Sequence, residues 1–421
     1  MQSSIKLRLT VMNFLQFAVW GAYLTSMGRY LGTAGFGSEI GNFYAMQGLV
    51  SLFMPALMGI VADRWIPAQR LLGVCHTLAG MLMLGVFLYT QTDAPSYPTL
   101  FALYSLSVAF YMPTLALSNS VAYTSLDQAG LDLVKSFPPI RVFGTVGFIC
   151  TMIAVSLLGL EATSGQFAVS AIISLVLAVY AQTLPNCPTA PKGQSKSLVE
   201  ALGLRAFVLF KQRKMALFFI FSMLLGVSLQ ITNGFANPFI STFGEIPAYA
   251  DTFGVKYANI LISLSQLSET LCILLIPFAL RRFGIRRVML IAMVAWVLRF
   301  ALLGLGNPGS GVWLFLLSMI VYGVAFDFFN VSGSLFVDKE TDPSIRSSAQ
   351  GLFMIMTNGI GATLGSLGAQ AVINHFVHTE HDTTAILAGW SMSWYIFAGY
   401  AAVVAVLFAV LFRYNTATEA K

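Results

Sequence analysis

Charged residues are scarce in this sequence. Asp, Glu, Lys and Arg make up only 10% of its 421 residues, whereas about 25% is usual in soluble globular domains. Hydrophobic residues account for 57%, and the mean hydropathy is +0.78. These values exclude a soluble globular domain, because too few charged side chains remain to cover its surface. They predict a polytopic membrane protein.

Cysteines and catalytic motifs are also sparse. The four cysteines are scattered, without metal-ligand spacing or a disulfide framework, at Cys75, Cys150, Cys187 and Cys272, and we interpret them as packing residues. A zinc-protease helix motif and a nucleophile elbow are both lacking, which argues against a membrane enzyme. Histidines and carboxylates gather at residues 375–382, and we interpret them as a solvated loop, since no second ligand cluster accompanies them. We therefore expect no catalytic residue, no metal and no cofactor.

Long apolar stretches are what the chain does contain. Stretches of about 20 apolar residues are long enough to cross a bilayer core. They recur twelve times and begin near Leu9, Ile40, Leu71, Thr99, Ile140, Phe167, Met215, Tyr257, Val288, Val312, Ser348 and Ser391. The sequence therefore predicts an all-α membrane protein with twelve transmembrane helices.

The basic residues predict the orientation of the helices. If the N-terminus is cytoplasmic, all of the 23 Lys and Arg residues except Arg29, Lys256 and Arg299 fall at or near the inner ends. This asymmetry obeys the positive-inside rule and predicts that both termini are cytoplasmic. The net charge of +6 then reflects topology and contact with anionic membrane lipid, and nucleic-acid binding is not expected.

A polar, basic segment divides the chain into two halves. Within it, residues 198–210 are amphipathic and are predicted to form an interfacial helix on the inner membrane face. The predicted domains are an N-terminal six-helix bundle at 1–184, a cytoplasmic linker at 185–212 and a C-terminal six-helix bundle at 213–421. Short loops at 59–64 and 281–287 occupy the same place in each half, and repeated halves suit a transporter that works by alternating access.

Four charged side chains interrupt the apolar stretches: Arg141, Glu269, Arg299 and Asp327. An ion at the bilayer centre costs about 2.5 to 3.5 kcal/mol on insertion scales, so such a residue usually has a function. Glu269 and Asp327 are the acidic groups at membrane depth and are therefore candidates for carrying a proton. The alternative is that Asp327 forms a permanent structural salt bridge with Arg299 or Arg141.

Amide side chains accompany these carboxyls in the second half. Gln230 and Asn233 are three residues apart, as are Gln266 and Glu269, so each pair projects from one helical face. The two faces can converge on a polar solute. The alternative is that they form hydrogen bonds between helices, which are common in membranes.

Aromatic residues flank Asp327, and they include Tyr322 and Phe326. Rings beside a carboxylate suit a solute with a flat face and a hydroxylated part, because stacking and hydrogen bonding then act together. The chain therefore favours a transported solute that combines both features.

Glycines and one histidine admit two interpretations each. The eleventh predicted helix carries Gly351, Gly359, Gly361, Gly365 and Gly368, which indicate either tight packing or bending. His76 on the third predicted helix is either a proton relay or, as we favour, a hydrogen-bonded packing residue.

Several strings of residues resemble one family. They are Phe137-Pro-Pro-Ile-Arg141-Val-Phe-Gly-Thr145, Leu229-Gln230-Ile-Thr-Asn233, Ser265-Gln266-Leu-Ser-Glu269 and Ala325-Phe326-Asp327-Phe-Phe-Asn330. The loops at 59–64 and 281–287 resemble the signature of the major facilitator superfamily, although Ile66 and Pro67 stand where that signature has Gly. Over nearly its whole length, the chain is similar to the bacterial nucleoside:proton symporters of this superfamily.

The resemblance implies a fold, a function and a site. It implies two six-helix halves that take up nucleosides with protons across the bacterial inner membrane, in a protein that we expect to be a monomer. The implied partners are the nucleoside, protons and membrane lipid. The implied substrate-binding residues are Arg141, Thr145, Phe148, Gln230, Asn233, Gln266, Glu269, Tyr322, Phe326 and Asp327, with Asp327 or Glu269 coupling the proton.

The depth of Arg141 and the identity of the substrate have alternatives. Arg141 follows Pro138 and Pro139, which places it in the first turn of the fifth helix, near the inner surface, unless that helix begins earlier. The alternative functions are a sugar or oligosaccharide:proton symporter of the same fold and, in another class, a membrane enzyme or nutrient sensor.

Overall fold

A computed structural model describes residues 2–189, 204–342 and 345–414 of the chain. Every regular element in these ranges is a helix, and no strand occurs among them. Because a helix satisfies its backbone hydrogen bonds internally, this is the architecture that an apolar environment permits. The predicted all-α class is therefore confirmed.

Eight α-helices precede residue 190, and two of them have a proline in the first turn. Pro55 and Pro98 stand in the first turns of their helices, where a missing N–H costs nothing. The helices are α1 (Gln2–Gly21), α2 (Met27–Thr33), α3 (Ile40–Ser51), α4 (Met54–Arg64), α5 (Ala68–Tyr89), α6 (Tyr97–Gln128), α7 (Leu133–Leu157) and α8 (Gly165–Ala181).

The later helices include one that contains a sharp internal junction. They are α9 (Arg213–Leu229), α10 (Ile231–Thr242), α11 (Pro247–Ala250), α12 (Phe253–Lys256), α13 (Ala258–Leu305), α14 (Val312–Glu340), α15 (Arg346–Met354), α16 (Ala362–Phe376) and α17 (Thr383–Leu411). A π-helix at Ile355–Gly361 joins α15 to α16. Within α13, Gly284 has φ 74° and ψ 163°, a conformation that glycine adopts readily and other residues do not. Two helices therefore meet at Gly284.

Nine helical stretches in the described ranges are long and apolar enough to cross a membrane, and α8 is a shorter apolar helix. One of the nine is α13, whose 48 residues contain two of the predicted starts, Tyr257 and Val288. The protein is thus a multi-pass membrane protein by the length and composition of its helices.

The described residues form two compact units. The first takes in Met1–Phe36 and Leu49–Leu202, and the second takes in Gly37–Gly48 and Gly203–Lys421, each over its described part. The short stretch Gly37–Gly48 packs within the second unit, where Gln370 Oε1 accepts a hydrogen bond from Gly41 N at 2.5 Å and Gln370 Nε2 donates to Gly37 O at 3.1 Å. This stretch contains the beginning of α3.

The predicted interfacial helix at 198–210 lies partly outside the described residues. The described remainder, Leu204–Lys211, forms a 3₁₀-helix in which Ala206 and Leu209 are buried. Among the cysteines, Cys75, Cys187 and Cys272 are buried, in agreement with packing, whereas Cys150 is exposed.

Candidate functional site

A break between two helices places the first amide pair. Gln230 is the residue between α9 and α10, and Asn233 Nδ2 donates to Gln230 Oε1 at 2.8 Å. Both side chains are half-buried. In the part of the chain that the structure describes, neither amide makes another hydrogen bond, so Gln230 Nε2 and Asn233 Oδ1 can bind a polar ligand.

Close packing of α13 against α14 brings the second set of residues together. A side chain at Gly323 would lie 2.5 Å from Ser268 O and 2.7 Å from Cys272 Sγ, so only glycine permits this approach. Glu269 follows Ser268 in the chain and lies close enough to Asp327 to interact with it electrostatically. The sequence prediction that the two carboxyls belong to one site is consistent with this geometry.

The rings of Tyr322 and Phe326 form an aromatic platform beside these carboxyls. Their centroids lie 5.6 Å apart at an interplanar angle of 17°, and Trp296 meets Tyr322 edge-on at 5.9 Å. Gln266 lies near the Tyr322 hydroxyl. Tyr322 is buried and Phe326 is half-buried. A flat ring and a hydrogen-bonding group are thus adjacent, which suits the solute that the sequence favours.

Asp327 is buried, with 5% of its surface exposed, and its Oδ2 has no hydrogen-bond partner among the described residues. The alternative salt bridge to Arg299 is wrong, because Arg299 Nη1 instead donates to Ser318 O at 2.7 Å. An ionised carboxylate in such a place is costly unless something compensates its charge. Asp327 is therefore suited to respond to a proton or a ligand.

Three candidate residues in the first unit share one face of α7. Arg141, Thr145 and Phe148 are spaced by four and three residues, which places them one above the other on a helix. Because α7 begins at Leu133 and contains both prolines, Arg141 lies more than two turns from its start. The prediction that Arg141 lies in the first turn is therefore wrong, and the alternative of an earlier helix start is the one observed.

Packing against α1 fixes this face of α7. The Arg141 guanidinium lies 4.0 Å from the centroid of the Phe17 ring, and Phe148 meets Trp20 edge-on at 6.4 Å. A side chain at Gly21 would clash with the Phe148 carbonyl oxygen. The small residue lets the two backbones approach, so the orientation of Phe148 depends on α1.

Sequence reasoning missed a buried hydrogen-bond network in the first unit. His76 Nε2 lies 2.8 Å from Gln16 Oε1, and His76 Nδ1 lies 2.9 Å from Ser174 Oγ. Gln16 Nε2 donates to Thr114 Oγ1 at 2.7 Å. His76 is thus a hydrogen-bonded packing residue, as favoured. The presence of Gln16 in an apolar helix is the sequence feature that could have indicated its partner.

Among the described residues, no group of three His, Cys, Asp or Glu side chains could hold a metal ion.

The all-helical fold and its likeness to solved transporters define a class, a membrane transporter of the major facilitator type rather than an enzyme. A crystal structure of the nucleoside transporter NupG has a TM-score of 0.89 and 46% identity, covering 98% of this chain and 100% of that one.

The chain belongs to the nucleoside H+ symporter family, whose pattern matches residues 3–417. Similar relatives are the xanthosine permease of Escherichia coli (strain K12), 49% identical over 98% of this chain and 97% of its own, and the nucleoside permease NupG of the same organism, 47% identical over the same shares. The family predicted from the residue strings is confirmed.

Proposed function

We propose that this protein takes up nucleosides across the bacterial inner membrane by alternating access, driven by protons that move inward with the substrate. Membership of the nucleoside H+ symporter family supports both the substrate class and the coupling ion. The nucleoside and xanthosine permeases that the chain resembles support the same substrate class.

The observation that carries the proton half of the proposal is the pairing of the buried Asp327 with the half-buried Glu269. Asp327 has an oxygen without a hydrogen-bond partner among the described residues, and the second carboxyl lies within electrostatic range. Two neighbouring carboxyls in an apolar site do not readily both ionise. Asp327, or Glu269 in its place, therefore takes a proton from outside and releases it inside.

Two sets of side chains are proposed to bind the nucleoside. In the second unit, the amides of Gln230, Asn233 and Gln266 hydrogen-bond its polar groups, and Tyr322 and Phe326 pack on the base. In the first unit, the proposed contacts come from Arg141, Thr145 and Phe148. The shared helical face of the last three supports their inclusion.

The membrane potential supplies the driving force. One charge moving across 100 mV gains about 2.3 kcal/mol, which supports an accumulation of roughly fifty-fold. Loading the carboxyl with a proton removes an uncompensated charge from the site. This neutralisation favours the closure that carries the nucleoside inward.

The proposed topology has twelve transmembrane helices with both termini in the cytoplasm, in a monomer surrounded by lipid. The length of α13 and its junction at Gly284 support two spans in that element, and the paired helices α1/α2, α3/α4, α9/α10 and α15/α16 support one interrupted span each. The basic inner ends support the orientation.

Replacing Asp327 by Asn tests the proposal. In proteoliposomes with an imposed pH gradient and potential, we expect Asp327→Asn to reduce nucleoside accumulation from roughly fifty-fold at 100 mV to about onefold. Exchange of labelled for unlabelled nucleoside should persist, because the amide keeps the shape of the site. Full accumulation by Asp327→Asn would remove Asp327 from the coupling role. If only Glu269→Gln lost accumulation, the coupling role would belong to Glu269.

Two controls define the outcome. Asp251→Asn changes a carboxylate whose side chain is 93% exposed, and it should leave accumulation unchanged. Excess uridine or adenosine should block uptake, whereas sugars should not. Uptake by the unmodified protein that is insensitive to nucleosides but blocked by sugars would replace the proposed substrate with a sugar.

A further inference from the structure

Arg299 is a buried cation without an acidic partner. It lies in α13 with 2% of its surface exposed, and no ion pair of Arg299 occurs in the described ranges. Its Nη1 donates to Ser318 O at 2.7 Å and to Ser265 Oγ at 3.5 Å, and its Nε has no partner among the described residues. A desolvated cation held only by neutral groups is expensive. Such a residue is expected to have a task beyond packing.

The guanidinium of Arg299 is directed at an aromatic ring. Its Cζ lies 4.6 Å from the centroid of Tyr322, within the range of a cation–π interaction, which is stronger where water is absent. The Tyr322 ring stacks on Phe326 and meets Trp296 in an edge-to-face contact. A row of planar groups thus runs from the buried Arg299, through Tyr322, to the half-buried Phe326.

We propose that Arg299 is a positioning residue for nucleoside binding. Its guanidinium holds the ring of Tyr322 in one plane, and Tyr322 holds Phe326, so that the platform is ordered before the base arrives. Ordering a binding surface in advance lowers the entropy lost on binding. This role rests on the proposed function, and it adds a residue that does not touch the substrate.

A purely structural role is the competing explanation. Ser318 Oγ donates to Arg299 O at 3.0 Å while Arg299 Nη1 donates to Ser318 O, so the two residues also join α13 to α14. If joining the helices were the whole function, stability would depend on Arg299 but nucleoside affinity would not. The experiment must therefore separate affinity from stability.

A double-mutant cycle on the transport KM tests the proposal. Arg299→Met keeps the aliphatic stem without the charge, and Tyr322→Leu removes the ring on which the charge acts. We expect Arg299→Met to raise KM for uridine by about tenfold with Vmax nearly unchanged. In the Tyr322→Leu background, the same change should alter KM by less than about twofold. Equal effects in both backgrounds, or an unchanged KM, would overturn the proposal.

Two further variants guard against a folding artefact. Ser318→Ala removes the hydroxyl that joins the helices but leaves the carbonyl that accepts from Arg299, so it should lower the melting temperature without raising KM. A rise in KM equal to that of Arg299→Met would favour the structural explanation and overturn ours. If Arg299→Met does not fold, Arg299→Lys replaces it in the cycle, with a smaller rise of about threefold that again disappears beside Tyr322→Leu.

The unmodified protein distinguishes this inference from the proposed function. If it neither transports uridine nor is inhibited by it, the proposed function fails, and the role of Arg299 fails with it. If it transports uridine and the cycle is additive, only the role of Arg299 fails.

Discussion

Asp327 and Arg299 are buried in neighbouring helices, yet their charges are compensated in different ways. Arg299 contacts a carbonyl oxygen and the face of Tyr322, which are permanent partners. Asp327 has an oxygen without a hydrogen-bond partner in the described chain and a second carboxyl nearby. The cation is therefore fixed by the fold, whereas the charge of Asp327 depends on what else occupies the site.

Asn233 provides a test of hydrogen bonding at the scale of one residue. Asn233→Ala removes one amide from the pair with Gln230, and we expect it to raise the KM for nucleoside about three- to tenfold with little change in Vmax, the effect of about one hydrogen bond. Transport kinetics in proteoliposomes measure this.

Ser241 in the same helix supplies the matched control. Its hydroxyl donates to Pro238 O within α10, so Ser241→Ala should leave KM unchanged. An unchanged KM in Asn233→Ala would exclude Asn233 from the binding site.

Single residues also mark the limit of what the sequence predicts. Spacing alone identified the pairs Gln230/Asn233 and Gln266/Glu269, because residues three apart share a helical face. The contact of Arg299 with Tyr322 could not be predicted, since it depends on how α13 packs against α14. The predicted place of Arg141 in the first turn of its helix is wrong, because a helix can continue through two prolines when its surroundings support it.

At the scale of elements, glycines determine how closely helices approach in the second unit. Side chains at Gly226 and Gly361 would clash with Thr357 O and Met223 O, and one at Gly365 would clash with Val227 O. These contacts join α9 to the π-helix and to α16. Tight packing thus accounts for Gly361 and Gly365, whereas Gly351 and Gly368 face open space.

The two kinds of glycine on one helix give a matched prediction. Gly365→Ala must displace the backbone of α9, and we expect it to lower stability by about 1 to 3 kcal/mol. Gly368→Ala meets no atom within 4 Å and should preserve or slightly raise stability, because alanine favours helix. Melting temperatures of the purified protein in detergent measure both.

Equal melting temperatures for the two variants would contradict the packing explanation. Sequence analysis alone could not separate these glycines, since their spacing gives both packing and bending as interpretations.

The junction at Gly284 is a second feature that the sequence predicts only in part. The sequence predicts a loop at 281–287, whereas the structure has two helices that meet at a single residue of positive φ. Neither the length of the connection nor the backbone conformation of one glycine can be inferred from the residue types.

At the scale of the whole molecule, two basic residues depart from the predicted concentration of Lys and Arg at the inner ends of the helices, and each has an acidic neighbour. Arg29 and Lys256 are the basic residues predicted to face outward. Arg29 lies 3.3 Å from Glu161, and Lys256 lies 2.8 Å from Asp251. The hydrogen bond and the charge of Lys256 lower the pKa of Asp251. Each outward cation thus has an acidic partner. The orientation still follows from the other basic residues, because they far outnumber Arg29 and Lys256 and fall at or near the inner ends.

This orientation makes a prediction about access to two exposed positions. Asp251, beside Lys256, belongs to the predicted outer side, and Arg282, next to the junction at Gly284, belongs to the inner side. Both residues are exposed, so a cysteine at either place would react freely with reagent that reaches it. In a background without the four native cysteines, we expect a membrane-impermeant maleimide to label Asp251→Cys in intact spheroplasts.

Arg282→Cys should be labelled only after the membrane is permeabilised, because the positive-inside rule keeps the basic residues around Gly284 in the cytoplasm. A permeant maleimide that labels both variants equally in intact spheroplasts provides the control for reactivity. The opposite pattern would invert the topology, and with it the direction in which Asp327 must load and release its proton. Labelling of both positions by the impermeant reagent would place them on the same side and contradict an odd number of membrane crossings between residues 251 and 282.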